Sequence, residues 1–118
     1  MLIRVLICGG RDFSNREFMW WELDKLASRK NISIIIHGAA RGADTLAMLW
    51  AMSRKIEQLA FPANWKKYGK SAGSIRNKQM LDEGKPDLVV AFTGGVGTQH
   101  MTLLASARGI KTIVIAED

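Results

Sequence analysis

The chain has 118 residues, of which 47% are hydrophobic and 24% charged, a composition typical of a soluble globular protein. This length suits one domain, 1–118, that can fold without a disulfide or a structural metal. No apolar run approaches the roughly 20 residues that a membrane-spanning helix needs. The start, which includes LIRVLICGG, lacks the features of a signal peptide, so we expect a cytoplasmic protein. The net charge of +6 favours an anionic partner, either a nucleotide or a nucleic acid.

Short apolar runs alternate along the chain with segments of helical periodicity. The predicted strands span residues 3–8, 33–37, 57–61, 88–92 and 112–116. The predicted helices span approximately residues 15–29, 43–55, 74–83 and 98–108. This alternation is typical of an α/β protein. It predicts a single Rossmann-like three-layer sandwich with a parallel sheet of about five strands.

The first predicted helix carries more aromatic residues than one buried face needs. Ser14 and Glu17 have the spacing of a capping box and predict the start of this helix. Phe18 and Trp21 lie off the apolar stripe to which Leu23 belongs. Two interpretations stay open: these aromatic side chains form a surface for self-association, or neighbouring segments cover them.

Three of the predicted strands end in loops that contain glycine. The glycines are Gly9, Gly10, Gly38, Gly42, Gly94, Gly95 and Gly97. In a parallel sheet such loops meet at one edge, so the pattern favours a ligand site over three unrelated turns. The loop of residues 93–98 gives the strongest signal, because its glycines let the backbone approach a ligand and Thr98 can cap the next helix. Free N–H groups at the start of that helix favour an anion such as phosphate.

Charged side chains accompany the first two glycine loops. Arg11 and Asp12 follow the first glycine pair. The guanidinium can hold a phosphate there and the carboxylate can accept from ribose hydroxyls, or the two groups can pair with each other. Arg41 and Asp44 repeat the arrangement after the second strand, although Asp44 can instead cap the following helix.

Two later segments can reach the same edge of the sheet. Arg76 and Asn77 lie in the first turn of the predicted helix 74–83 and can present a guanidinium and an amide to the crevice, or remain solvated. The segment Trp65–Tyr68 alternates aromatic and cationic side chains. It can stack on a base or on single-stranded nucleic acid, or it can cover the sheet edge.

The cysteine and the two histidines do not form a metal motif. Cys8 ends an apolar strand, where we expect a buried packing residue. His37 ends another buried strand, so we expect a hydrogen-bonded core histidine rather than a catalytic base. His100 is a better candidate for a ligand contact. Their spacing matches no zinc site, so we expect no metal. The sequence has no GxxxxGK[ST] motif, so we do not expect an ordinary P-loop ATPase, and no GxSxG motif, so we do not expect a nucleophilic serine of that type. We therefore expect only the binding of a nucleotide-like anion.

Four stretches of the sequence together resemble one protein family. They are CGGRDF at 8–13, HGAARGAD at 37–44, PANWKKYGKSAGSIRNKQM at 62–80 and PDLVVAFTGGVGT at 86–98. Their order and their coverage of most of the chain are similar to the YspA-related (cpYpsA-related) SLOG family of the SLOG superfamily. That superfamily includes lonely-guy-type phosphoribohydrolases and DNA-processing protein A. The resemblance implies a Rossmann-like sheet and a site for a nucleotide or nucleotide-derived ligand.

The lonely-guy-type enzymes are similar to this chain in their PGGxGTxxE motif and in an upstream arginine that grips the nucleotide. The motif is matched by Gly94, Gly95, Gly97 and Thr98. Arg76 is the counterpart of the arginine, whereas Thr93 stands in place of the proline and Met101 in place of the catalytic glutamate. Hydrolysis of an N-glycosidic bond here would need Asp12 or Asp44 to supply the missing carboxylate.

We expect a binding site for a nucleotide or a nucleotide derivative that serves as a sensor or accessory module. The alternatives are a nucleotide N-glycosidase or phosphoribohydrolase, with catalytic candidates Asp12, Asp44 and Arg76, and a nucleic-acid-binding protein. No cofactor besides the nucleotide-like ligand and no membrane partner is expected, and family analogy favours a homo-oligomer. The candidate ligand-binding residues are Gly9, Gly10, Arg11, Asp12, Gly38, Arg41, Gly42, Asp44, Arg76, Asn77, Thr93, Gly94, Gly95, Val96, Gly97 and Thr98.

Overall fold

The computed structural model describes residues 1–117 and contains one sheet surrounded by helices. The strands are β1 (Leu2–Gly9), β2 (Asn31–His37), β3 (Glu57–Ala60), β4 (Leu88–Phe92) and β5 (Lys111–Ile115). The helices are α1 (Arg16–Ala27), α2 (Ala43–Ser53), α3 (Trp65–Tyr68), α4 (Ala72–Gly84) and α5 (Val96–Ala107). A 3-10 turn, Gly69–Ser71, joins α3 to α4. None of these helices has the length and apolar composition needed to cross a bilayer.

The sheet is parallel throughout and has the strand order β3-β2-β1-β4-β5. The chain winds outward from β1 to β3 and then returns to place β4 on the other side of β1. Gly9 at the end of β1 is in register with Phe92 at the end of β4. The predicted α/β class with about five parallel strands is confirmed. The reversal of winding opens a crevice at the carboxyl ends of β1 and β4.

Helices cover both faces of the sheet and complete the predicted three layers. On one face, α1 and α2 contribute the buried side chains of Met19, Leu23 and Trp50. On the other face, α4 and α5 contribute Met80 and Met101. Strand β4 is buried along its whole length between the two layers. The strand ends are therefore held by a core on either side, and the loops that follow them start from fixed positions.

Helix α1 begins with an asparagine cap. Asn15 is the N-cap residue, and its Oδ1 accepts a hydrogen bond from the backbone N–H of Phe18 at 3.1 Å. The predicted capping box of Ser14 and Glu17 is therefore wrong. Asparagine caps a helix as well as serine does, and Asn15 is one residue closer to the helical N–H groups that need an acceptor.

Helices α4 and α5 each begin two residues earlier than predicted, at Ala72 and Val96. The N-cap of α5 is Gly95, with φ 81° and ψ 156° and no side-chain hydrogen bond to the helix. Thr98 lies inside the helix and is buried, so its predicted role as the cap is wrong. Gly95 adopts a conformation that a residue with a Cβ rarely takes, and this lets the chain enter the helix sooner.

Phe18 and Trp21 of α1 have different environments. The ring of Phe18 meets the ring of Phe92 edge-on, with centroids 6.4 Å apart, and is packed against the core. Trp21 is 60% exposed, and Lys25 Nζ lies 4.2 Å from the centroid of its ring. Neighbouring segments thus cover Phe18, whereas self-association through Trp21 stays a prediction.

Asp24 connects α1 to the end of α2. Its Oδ1 accepts hydrogen bonds from Trp50 Nε1 and Arg54 Nε, both at 2.9 Å, and its Oδ2 accepts from Arg54 Nη2 at 2.7 Å. The hydrogen bond from Arg54 lowers the pKa of Asp24 below its ordinary value of 3.8. Because Trp50 is completely buried, Asp24 supplies the acceptor that water cannot supply.

Replacing Asp24 with alanine is expected to lower the free energy of unfolding by about 1–3 kcal/mol, because Trp50 Nε1 loses its acceptor inside the core. Asp24→Asn keeps an oxygen for Trp50 and loses only the partly exposed ion pair with Arg54, so we expect a loss of about 1 kcal/mol or less. Urea unfolding of the wild type and both variants measures the difference. Equal losses in the two variants would contradict the importance given to the Trp50 hydrogen bond.

Candidate functional site

A cavity of about 820 Å³ lies at the carboxyl ends of the strands, where the winding of the sheet reverses. Its walls are the loops after β1, β2 and β4, together with the first turns of α4 and α5. The volume lies in the range of roughly 300–1,000 Å³ that is common for small-molecule sites. The three loops that contain glycine are far apart in the sequence, but in the structure they all line this one cavity.

Most of the predicted ligand-binding residues line this cavity. They are Gly9, Gly10, Arg11, Asp12, Arg41, Asp44, Arg76, Asn77, Thr93, Gly94, Gly95, Val96, Gly97 and Thr98. The two remaining glycines, Gly38 and Gly42, are not part of the lining. A Cβ at Gly38 would lie 2.8 Å from Cζ of Arg76 and 2.9 Å from Oδ2 of Asp44, and one at Gly42 would overlap the backbone of the loop after β1. These two glycines allow close packing of the loops that form the wall.

The loop between β4 and α5 presents an uncapped helix start. Gly94 and Gly95 have φ angles of 128° and 81°, and the first hydrogen bond inside α5 runs from Gln99 N to Gly95 O at 3.3 Å. The N–H groups of residues 96–98 consequently have no partner within the helix. The start of α1, by contrast, is capped by Asn15. An uncapped start with its positive dipole end at a cavity favours an anion.

Arg76 is held in place by its own loop contacts. Its Nη1 donates to the carbonyl of Gly38 at 2.6 Å, and its Nε donates to Oδ1 of Asn77 at 3.0 Å. Within the part of the chain that the structure describes, Nη2 makes no hydrogen bond. Burial lowers the pKa of Arg76, the charge of Asp44 acts in the opposite direction, and the charge of Arg11 lowers the pKa again, but an arginine remains protonated. The cavity wall thus contains a fixed guanidinium with one free edge.

Asn77 orients the first turns of α5. Its side chain is buried, and Nδ2 donates to the carbonyl of Gly97 and to Nδ1 of His100, both at 3.1 Å. Oδ1 of Asn77 accepts from Arg76, which fixes the amide orientation, so His100 Nδ1 is the acceptor and its proton lies on Nε2 in the neutral ring. Asn77 therefore links Arg76 to the uncapped helix start.

Asp44 holds the loop between β2 and α2. It lies in the first turn of α2 and is buried, and its Oδ2 accepts from the backbone N–H of Ala40 at 3.2 Å. Burial raises the pKa of Asp44, while the hydrogen bond from Ala40 and the charge of Arg76 act in the opposite direction. The carboxylate thus fixes a loop at the cavity wall, close to the cation of Arg76.

Replacing Asp44 with asparagine is expected to change the pH dependence of stability. The folded-state pKa of Asp44 is raised above its ordinary value of 3.8, so the stability contributed by its protonated form is complete at low pH and declines as pH rises through the folded pKa. Relative to the wild type, Asp44→Asn should gain stability with rising pH, by at most about 1.4 kcal/mol per pH unit. Urea unfolding from pH 4 upward, roughly where an unperturbed carboxyl titrates, measures this difference. A difference that is flat or falls with pH would contradict the prediction.

The mouth of the cavity carries exposed charged groups. Arg41 Nη2 lies 3.4 Å from Asp12 Oδ1, and these side chains are 75% and 97% exposed. Asp12 thus pairs with Arg41 rather than with its neighbour Arg11, whose guanidinium lies 4.9 Å from the ring centroid of Trp65. An exposed ion pair of this length contributes little stability, so both partners can turn to a ligand at small cost.

Several residues of the lining are outside the predicted set. They are Cys8, Phe13, Ala40, Trp65, Lys70, Gly73, Ser74, Met80, His100 and Glu117. For Trp65, the alternation of aromatic and cationic residues at Trp65–Tyr68 indicates a possible ligand contact. For His100, its position near the start of a helix indicates the same. Lys70 lies in the basic stretch 62–80 that also carries the family resemblance, whereas no local pattern marks Glu117.

Cys8 and His37 are buried core residues, and Cys8 also lines the cavity. Burial raises the pKa of the Cys8 thiol to about 12, so it is not a thiolate at neutral pH. His37 is buried, its Nδ1 accepts from Ala39 N at 3.1 Å, and its Nε2 lies 2.8 Å from Gln58 Oε1. Both ring nitrogens have partners, as expected for a structural histidine.

Comparison with known proteins identifies the family. The model of the family described as "YspA, cpYpsA-related SLOG family" matches residues 3–68. The chain belongs to this SLOG family. The "Gene 61 protein" of Mycobacterium phage D29 is 37% identical, in an alignment that covers 93% of this chain and 94% of the phage protein. The family match includes the loops after β1 and β2, whereas Arg76 and the loop after β4 lie beyond it.

Met101 marks a chemical difference between this SLOG-family chain and the lonely-guy-type motif. It stands where that motif has glutamate, and its side chain is completely buried in the core beside α4. Among residues 1–117, the carboxylates that line the cavity are instead those of Asp12, Asp44 and Glu117. Within that described part of the chain, a reaction that needs a carboxylate at the cavity would have to use one of these three.

Proposed function

We propose that this SLOG-family protein binds a nucleotide or a nucleotide-derived ligand at the carboxyl ends of its strands and serves as a sensor or accessory module. One observation carries the proposal: the uncapped start of α5 and Arg76, whose Nη2 makes no hydrogen bond within the described residues, line the same cavity of about 820 Å³. Both features attract anions, and Asn77 connects them through hydrogen bonds. A phosphate group is the anion that this pairing suits best.

The rest of the lining suits the other parts of a nucleotide. The phosphate would accept from the N–H groups of residues 96–98 and from Arg76, with Arg11 as a second cation. Trp65 is 47% exposed at the cavity wall and offers a face on which a base can stack. Asp12 is almost fully exposed and can accept hydrogen bonds from ribose hydroxyls. Membership of the SLOG family supports a nucleotide-related function in general, without naming a ligand.

The first experiment is native mass spectrometry of the purified protein, followed by denaturation and identification of any released small molecule. Isothermal titration with nucleoside mono-, di- and triphosphates of all four bases then measures affinity. We expect one of these nucleotides to bind with one site per chain. Failure of every nucleotide to bind, together with the absence of any co-purified nucleotide derivative, would overturn the proposal.

The same protein samples, incubated with nucleotides, also test whether the protein is an enzyme. A nucleotide N-glycosidase or phosphoribohydrolase would release free base during incubation, which chromatography detects. Asp12, Asp44 and Arg76 stay the candidates for its catalytic groups. If Asp12→Asn or Asp44→Asn stops the release of free base but retains nucleotide affinity, that aspartate is the catalytic carboxylate. The protein would then be a hydrolase and not only a binding module.

Nucleic-acid binding is the second candidate, and a specific observation favours it. Two cation–aromatic pairs lie on or beside the cavity wall, Arg11 with Trp65 at 4.9 Å and Lys67 with Tyr68 at 5.0 Å. Such pairs can stack on successive bases of a single strand. This candidate predicts oligonucleotide affinity that falls steeply with salt and depends little on sequence. Tight oligonucleotide binding by a protein that ignores free nucleotides would favour it.

A homo-oligomer is also proposed, on family analogy and on the exposure of Trp21. The native mass spectrum reads the stoichiometry directly. If Trp21 lies in the interface, Trp21→Ser should shift the complex toward the monomer while leaving nucleotide affinity unchanged, because the residue is not part of the cavity lining.

A further inference from the structure

A second, smaller pocket adjoins the main cavity. It has a volume of about 250 Å³ and is lined by Arg11, Ala40, Arg41 and Trp65. All four residues also line the main cavity, so the two spaces share a wall. The side pocket therefore offers two guanidinium groups and an indole face, and none of the described residues that line it is acidic.

The loop that carries Arg41 is held in one conformation by three side chains. The N–H of Ala39 donates to Nδ1 of His37 at 3.1 Å, and the N–H of Ala40 donates to Oδ2 of Asp44 at 3.2 Å. The hydroxyl of Thr45 donates to the carbonyl of Ala40 at 2.9 Å.

The same loop contains backbone strain. Ala39 has a φ of 56°, in the left-handed region that residues with a Cβ rarely adopt. Strained residues of this kind persist when surrounding contacts fix them, and they concentrate at binding sites. Here the strain and the three hydrogen bonds together keep the backbone next to Arg41 at the edge of the side pocket.

The two arginines of the side pocket, Arg11 and Arg41, make no strong ion pair with other described residues. Arg41 has only the exposed 3.4 Å contact with Asp12 among the residues described. Arg11 lies over Trp65 and is close enough to Arg76 for its charge to lower the pKa of that guanidinium. Arg11 can therefore serve both the main cavity and the side pocket, while Arg41 serves the side pocket from the other side.

We propose that the side pocket binds a second anionic group of the ligand, which makes the ligand a nucleotide with two phosphoryl groups rather than a nucleoside monophosphate. The first phosphoryl group would bind at the start of α5 and Arg76, and the second between Arg11 and Arg41. This inference rests on the proposed function of the main cavity. The second group can be attached to the first, as in a 5′-diphosphate, or to the other side of the ribose, as in a 3′,5′-bisphosphate.

Isothermal titration with three probes for each of adenosine and guanosine tests the inference: the 5′-monophosphate, the 5′-diphosphate and the 3′,5′-bisphosphate. For the wild type we expect one of the two doubly phosphorylated probes to bind about tenfold tighter than the monophosphate, as one added charge-assisted contact gives. In Arg41→Ala this advantage over the monophosphate, measured within the variant itself, should fall below about twofold. Arg41 is 75% exposed, so its replacement should leave the fold intact.

Arg29→Ala is the matched control, because it removes an exposed arginine beyond the far end of α1, outside both pockets. It should keep the full preference for the second phosphoryl group. The inference is overturned if the monophosphate binds as tightly as both other probes, or if Arg41→Ala keeps the wild-type preference. Tighter binding of a short oligonucleotide than of every mononucleotide would also overturn it in favour of a nucleic acid. If no mononucleotide binds at all, the proposed function fails first and this inference fails with it.

Discussion

Replacing Gly42 with alanine is expected to lower the free energy of unfolding by about 3 kcal/mol or more, because backbone strain and steric overlap add at this position. Gly42 has φ 78° and ψ −125°, a backbone conformation that a residue with a Cβ rarely adopts. An added Cβ would also overlap the carbonyl oxygens of Gly10 and Arg11, which are backbone atoms and cannot rotate away. The overlap separates the loops after β1 and β2, so ligand affinity should fall as well.

Two other glycines provide controls for Gly42. Gly109 also has a positive φ, 73°, but no atom lies within 4 Å of the position of its Cβ, so Gly109→Ala measures the backbone cost without the overlap. Gly97 has open space and no positive φ, and Gly97→Ala should cost least. Urea midpoints at constant slope give the three values. If Gly42→Ala is no more destabilising than Gly109→Ala, the close contact between the two loops is not important for stability.

The architecture could be predicted because it depends on local patterns that repeat along the chain. Apolar runs of strand length alternate with helical periodicity, and a chain with that alternation has few options besides a parallel sheet between two helical layers. The placement of the three glycine loops at one edge followed from the same parallel arrangement. For that reason most of the predicted residues line a single cavity.

The function of each glycine could not be predicted in the same way. Gly38, Gly42, Gly94 and Gly95 have the same chemistry in the sequence, and their roles depend on neighbours that lie far away along the chain. Gly38 makes room for the side chain of Arg76, whereas Gly94 and Gly95 shape the start of α5 at the cavity. A sequence pattern shows where glycine occurs, but only the folded structure shows which atoms lie where its side chain would be.

The charge pairing around the cavity depends on tertiary structure in the same way. The sequence left a pair between the neighbours Arg11 and Asp12 as one alternative, yet Asp12 contacts Arg41 and Arg11 lies over Trp65. Arg11 and Asp12 lie in the turn after β1, and their partners come from other loops that only the folded chain brings close. The early start of α5 has a comparable cause, because the conformation of Gly95 moves the cap ahead of Thr98.

Replacing Arg76 with alanine should have the largest effect on the proposed ligand site, a loss of nucleotide affinity of about 30- to 100-fold, or about 2–3 kcal/mol. The variant removes the guanidinium whose Nη2 edge is free, and it also releases Asn77, which fixes the first turns of α5. Arg76→Lys keeps the positive charge but cannot donate to Gly38, Asn77 and a phosphate in one plane, so we expect an intermediate loss of about tenfold. Isothermal titration with the nucleotide that the wild type prefers measures both values.

The design of this comparison separates binding from folding. Arg29→Ala removes the same side chain outside the cavity and should retain wild-type affinity, so a general effect of net charge would appear in it as well. Gly95→Asp combined with Arg76→Ala places a carboxylate at the uncapped helix start and should abolish binding, since the anion then meets a like charge and lacks its guanidinium. Urea unfolding of each variant establishes that it is folded before affinity is compared. Wild-type affinity in this double variant would show that nucleotides bind elsewhere on the protein, because both groups that make the cavity attractive to phosphate would then be dispensable.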